Sequence, residues 1–142
     1  RLTKLKGILR GAFLFVHSVV RTAMQRVYRL ETTSGVGVYT ARESNSLIQL
    51  VVCKYFDSLR HPGPFTDKLL KSYFIEAVHS FGFISLEQLK DWFFDSTDRQ
   101  LLASEGVICN EYEVEGKDFV AGEKQCIFIK ENAKLLGRVD FI

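Results

Sequence analysis

Ile84-Ser85-Leu86-Glu87-Gln88-Leu89-Lys90-Asp91-Trp92-Phe93 is the stretch at which the middle of the chain turns helical. Ser85 stands three residues before Gln88, the spacing at which a serine hydroxyl accepts from the later residue's amide while that residue's side chain reaches back. Ile84 and Leu89 bracket this box as a hydrophobic staple. Leu86, Leu89, Trp92 and Phe93 then recur on one helical face. Thr97 to Ser104 adds a further helical turn or two, with Gly106 placed to end it.

The period changes on both sides of this centre. Upstream, Leu47, Ile48, Val51, Val52, Tyr55, Phe56 and Leu59 recur at three and four, which predicts a buried helix within Glu43 to Leu59. His61-Pro62-Gly63-Pro64 stops it, because proline lacks a donor and biases its predecessor away from helix. Asp67 to His79 is of mixed pattern and is expected to form a second helix. Earlier still, Val27-Tyr28-Arg29-Leu30-Glu31 alternates, and Val36-Gly37-Val38-Tyr39-Thr40 follows a glycine turn, which predicts a hairpin or two short strands. Downstream, Val107 to Val114 and Gln125 to Lys130 read as an antiparallel pair, and Leu135 to Phe141 supplies another strand. Strands, helices, then strands predict an α+β domain, a mostly antiparallel sheet covered by helices on one face.

At 142 residues the chain suits one domain of ordinary globular composition. Its charge is uneven: residues 1–23 carry five basic groups and no acid, which leaves a net charge of −3 on residues 24–142. A nucleic-acid binder carries its basic face on the folded domain, so no nucleic acid is expected for the body. The apolar run Gly11 to Val20 is shorter than the roughly 20 residues that span a bilayer, and no small-residue cleavage pattern follows it. Residues 1–23 therefore read as a basic amphipathic helical segment or an extraneous tail, and residues 24–142 as the single α+β domain. Cys53, Cys109 and Cys126, an odd number with no paired spacing, suit a reducing cytoplasm. The three histidines show none of the short spacings of zinc sites, so no metal is expected.

Familiar catalytic signatures are missing. Gly35-Val36-Gly37 lacks the third glycine of a dinucleotide fingerprint, and no G-x-S-x-G elbow occurs. Glu111, Glu113 and Glu115 alternate along a strand and share a face, either as a solvated surface or as a carboxylate set able to polarise a hydroxyl.

Tyr28-Arg29-Leu30-Glu31, Gly35-Val36-Gly37-Val38-Tyr39, His61-Pro62-Gly63-Pro64, Gly82-Phe83-Ile84-Ser85 with Trp92-Phe93, Glu111-Tyr112-Glu113-Val114 and Gln125-Cys126-Ile127-Phe128, in that order, resemble a family of small proteins encoded by tailed bacteriophages and prophages. The resemblance covers about residues 26–130. It implies an accessory protein acting inside a bacterial host cell, with a host protein as partner, and implies no particular reaction.

The chain is also similar to ADP-ribosyltransferase-like folds, which set an Arg, a Tyr or Thr, and a Glu or Gln on successive elements around NAD. On that resemblance Arg29, Tyr39 and Thr40 bind the cofactor, and Gln125 or Glu113 takes the catalytic place. The gap between Arg29 and Tyr39 is short for the pattern, and a glutamine cannot act as a base. Two readings follow: an NAD-binding protein acting on a host component, or a non-enzymatic module whose acids, Glu111, Glu113, Glu115, Asp118 and Glu123, block a host or anti-phage defence protein.

Overall fold

The computed structural model describes residues 23–142 except Ser58, Pro64, Phe65 and Phe74. The basic amphipathic segment expected over residues 1–23 lies outside the described residues, apart from its last residue. Among the described residues six strands and four α-helices follow in the order β1 (Met24–Glu31), α1 (Val38–Ala41), α2 (Ser46–Val52), β2 (His79–Gly82), α3 (Leu86–Trp92), α4 (Ser96–Ser104), β3 (Ile108–Glu115), β4 (Phe119–Ala121), β5 (Cys126–Ile129) and β6 (Lys134–Val139). No helix among the described residues is long and apolar enough to cross a membrane.

The strands form two antiparallel sheets, β1-β3-β6 and β2-β5-β4. Alternation along β1 and β3 explains how the first sheet is buried on both faces. Tyr28, Leu30 and Cys109 point toward the helices and join a core with Ile48, Val51, Leu89, Phe93 and Leu102. Val27, Tyr112 and Val114 point the other way and pack on Cys126 and Phe128 of the second sheet. The α+β class and the helix-covered face are as the sequence predicts, with a second sheet closing the opposite face.

Four local expectations are corrected. Val107–Val114 and Gln125–Lys130 do not pair: β3 sits between β1 and β6, while the short loop after β4 returns that strand onto β5. The Val36–Thr40 strand is instead a helical turn, joined to β1 by the isolated backbone bridge between Glu31 and Gly37. Val38 and Ala41, three apart, both enter the core there, so burial outweighs the β preference of valine. The Glu43–Leu59 helix is shorter than its apolar period, because Asn45 caps the amides of Leu47 and Ile48 at one end and the helix closes at Cys53. In place of the helix expected over Asp67–His79, the described residues from Asp67 to Tyr73 form turns and His79 opens β2; buried Asp67 accepts from the amides of Leu69, Leu70 and Glu123. An aspartate used this way competes with helix continuation.

The Ser85 cap stands as read: its hydroxyl accepts from Gln88 N at 3.0 Å, and Gln88 Oε1 accepts from Ile84 N at 3.0 Å. The side chain thus closes on the residue before the cap. Ile84 is largely exposed, so the expected staple on Leu89 is weak. Ser85→Ala is expected to remove about 1 kcal/mol, seen as a fall of a few degrees in Tm; an unchanged Tm would leave the cap without energetic weight.

Candidate functional site

Four of the five residues singled out from the sequence converge. Arg29 on β1, Tyr39 and Thr40 on α1, and Gln125 just before β5 line one small cleft of about 90 Å³. Glu113 is remote from it: on β3 it lies 3.8 Å from Arg26, which also binds Glu111 at 2.6 Å. The other acids are likewise divided, with Glu115 facing Lys117 at 3.4 Å and Asp118 accepting from Asn132.

The small cleft shares Tyr39, Phe81, Trp92 and Gln125 with a larger cavity of about 540 Å³, whose remaining walls include Tyr55, Phe56, Asp57, His61 and Thr66. Its size falls in the range of small-molecule sites, roughly 300–1,000 Å³. In the sequence Trp92, Phe56 and His61 read as core or helix-stop residues, since helical spacing explains a buried aromatic without a site.

One phenol organises the wall. Tyr39 Oη donates to the Tyr55 carbonyl at 2.7 Å and accepts from Trp92 Nε1 at 2.7 Å, tying α1, the chain after α2 and α3 together. Burial pushes this phenol far up, so it stays protonated near neutral pH and serves as a linker rather than an acid. His61 is clamped as well, with Nε2 2.7 Å from the Trp92 carbonyl and Nδ1 2.7 Å from Asp57 Oδ2. Both ring nitrogens are thus within hydrogen-bond reach of an oxygen, which fixes the ring in the wall. The ring stands edge-on to Trp92 and Tyr55, with centroids 5.0 and 5.2 Å away.

The Asp57 carboxyl is held down at about 2, first by the Arg60 amide and then by His61. A carboxyl lowered on folding contributes stability that is complete above its ordinary range and is lost as the pH falls through the folded value. Between pH 4 and 2 the Tm of the wild type is therefore expected to fall more steeply than that of Asp57→Asn. Superimposable Tm profiles would show that this turn contributes nothing.

Arg29 reaches the small cleft already engaged. Its Nε donates to Glu31 Oε2 at 3.0 Å and its Nη1 to the Phe81 carbonyl at 2.6 Å. Glu31 has no solvent exposure and accepts in addition from Lys130 Nζ at 2.8 Å and from Asn110 and Tyr112. Burial drives this carboxyl upward, but the Lys130, Tyr112 and Asn110 donors outweigh that and leave it below its ordinary value. Gln125 is also committed, Nε2 donating to the Pro62 carbonyl at 2.7 Å, while its carbonyl oxygen has no partner among the described residues. The Cys109 and Cys126 thiols are pushed up to about 12 by burial and are not nucleophiles at neutral pH. The arrangement is equipped to enclose a flat, mainly apolar group and offers a single carboxylate, Asp57, at its wall.

No curated protein and no solved structure matches the chain. The ADP-ribosyltransferase-like resemblance thus has no counterpart in these comparisons. The likeness to tailed-phage proteins does, in the family model described as Bacteriophage T4 Y00F protein, which matches residues 24–142. Because that match takes in every strand and helix that builds the cavity, the chain belongs to the Bacteriophage T4 Y00F protein family.

Proposed function

We propose that this phage protein binds a planar heteroaromatic ring, of the nicotinamide or nucleobase kind, in its aromatic cavity during infection of a bacterial cell. NAD is the cofactor that first suggests itself, and binding without group transfer is the form of the reading we favour. One observation carries it: a cavity of about 540 Å³ walled by Tyr39, Tyr55, Phe56 and Trp92, with the Gln125 carbonyl as an acceptor that no other group among the described residues uses. Offset or edge-to-face contacts with such rings suit a flat ligand, and the glutamine oxygen suits an amide or exocyclic amine on its edge. Transfer is left out because Glu113 is remote and Gln125 holds the Pro62 loop. Glu111 and Glu113 share Arg26, Glu115 faces Lys117 and Asp118 accepts from Asn132, so four of the five acids of the second reading are engaged locally and the ring-binding reading is the one we favour.

Trp92 is the chain's single tryptophan and lines the cavity, so its emission reports on this place alone. Titration with nicotinamide, adenosine and NAD is expected to quench or shift it and to raise Tm. Phe56→Ala, at a side chain two-thirds exposed, is expected to weaken that response without unfolding the domain. Unchanged emission and Tm with all three ligands at millimolar concentration would overturn the reading.

A further inference from the structure

Arg42 stands at the rim of the aromatic cavity. Its guanidinium carbon lies 5.1 Å from the Phe56 ring centroid and 6.0 Å from that of Tyr39, and both rings wall the cavity. Among the described residues this guanidinium enters no ion pair and no hydrogen bond. Other basic groups near the core are taken up: Arg29 and Lys130 by Glu31, and Lys54 by Asp98. Asp57, the acid on the same wall, is itself engaged by the Leu59 and Arg60 amides and by His61.

An arginine lying against ring faces keeps its fork of donors for a further partner. That fork matches a phosphate in two parallel hydrogen bonds. Resting on the ring-binding reading, we propose that the ligand is a nucleotide, its base among Tyr39, Phe56 and Trp92 and its phosphate on Arg42. The cavity then selects nucleotides over nucleosides, with the anion held at the rim where it stays partly hydrated.

The test compares adenosine, adenosine monophosphate and inorganic phosphate by Trp92 emission with the full chain, in the wild type, Arg42→Gln and Arg42→Lys. The monophosphate is expected to bind at least about tenfold more tightly than adenosine, through the charge-assisted bonds to Arg42. Arg42→Gln is expected to abolish that preference while leaving adenosine affinity and Tm unchanged, and Arg42→Lys to keep part of it. Equal binding of adenosine and its monophosphate by the wild type would overturn the nucleotide assignment and leave the ring site standing, and an intact preference in Arg42→Gln would overturn the placing of the phosphate on Arg42. Inorganic phosphate acting as strongly as the monophosphate would also overturn it, as an anion site without a base. Silence of both adenosine and its monophosphate would overturn this inference, and the ring site falls with it if nicotinamide and NAD are silent too.

Discussion

Glu31→Gln is expected to destabilise the domain by about 3–5 kcal/mol, the usual cost of removing one partner from a buried ion pair, and to lower Tm on the order of 10 °C. The carboxylate has no solvent exposure and two cations aim at its Oε2, Arg29 at 3.0 Å and Lys130 at 2.8 Å. Asn110 and Tyr112 donate to Oε1. A glutamine supplies one acceptor and one donor, so either the cations or the neutral donors meet an N–H group, and the charge that balanced Arg29 and Lys130 is gone. The damage spreads, because Lys130 also donates to the Gly35 carbonyl at 2.7 Å and Arg29 to the Phe81 carbonyl. Urea denaturation measures the loss. In Glu31→Gln combined with Lys130→Met the loss is expected to be less than the sum of the single losses, since the pair acts as a unit. A loss under about 1 kcal/mol would mean that the network merely fills space.

The same carboxyl sets an acid response. Its folded value lies below the ordinary one, so its contribution is present above the ordinary carboxylate range and disappears as the pH falls through the folded value. The acid limb of stability is expected to be shallower in Glu31→Gln than in the wild type.

Gly82→Ala is expected to cost about 1–3 kcal/mol by overpacking and to alter Trp92 emission. A Cβ there would stand 2.5 Å from Val27 Cγ1, 3.1 Å from the Tyr28 carbonyl and 3.2 Å from the Phe128 ring. Val27 and Phe128 are fully buried and have nowhere to move. The two sheets meet at this point, where Tyr28 and Phe83 exchange backbone hydrogen bonds of 2.8 Å each. Forcing them apart displaces Phe83, whose ring centroid is 5.7 Å from that of Trp92. Gly63→Ala is the comparison: an added Cβ meets nothing within 4 Å and the backbone is not left-handed, so no loss is expected. Equal Tm values for the two variants would deny Gly82 its place at the junction.

Much of the candidate site is readable as residues but not as a site. Arg29, Tyr39, Thr40 and Gln125 stand out by residue type and order, and they do line one cleft. Of their partners, Glu31 is legible beside Arg29, because residues two apart share a strand face, whereas the Pro62 carbonyl reaches Gln125 across 63 residues. Trp92, Phe56 and His61 carried no signal of their own, because an aromatic at helical spacing is equally a core residue. Arg42 was invisible for the complementary reason, as the lack of an acid beside a basic group shows only in space.

What local chemistry decides was present in the chain from the start. The Ser85–Gln88 cap spans three residues, Gly106 ends α4 in a left-handed turn at φ +85°, and β1 and β3 alternate over eight residues each. Such interactions join groups a few positions apart and form wherever those residues occur. The division into two sheets, the helical turn at Val38 and the aromatic cavity were decided by the tertiary structure. Glu31 meets Asn110, Tyr112 and Lys130 across separations of 79, 81 and 99 residues. No local period encodes such a meeting, because which strand lies against which depends on how every buried face is covered at once.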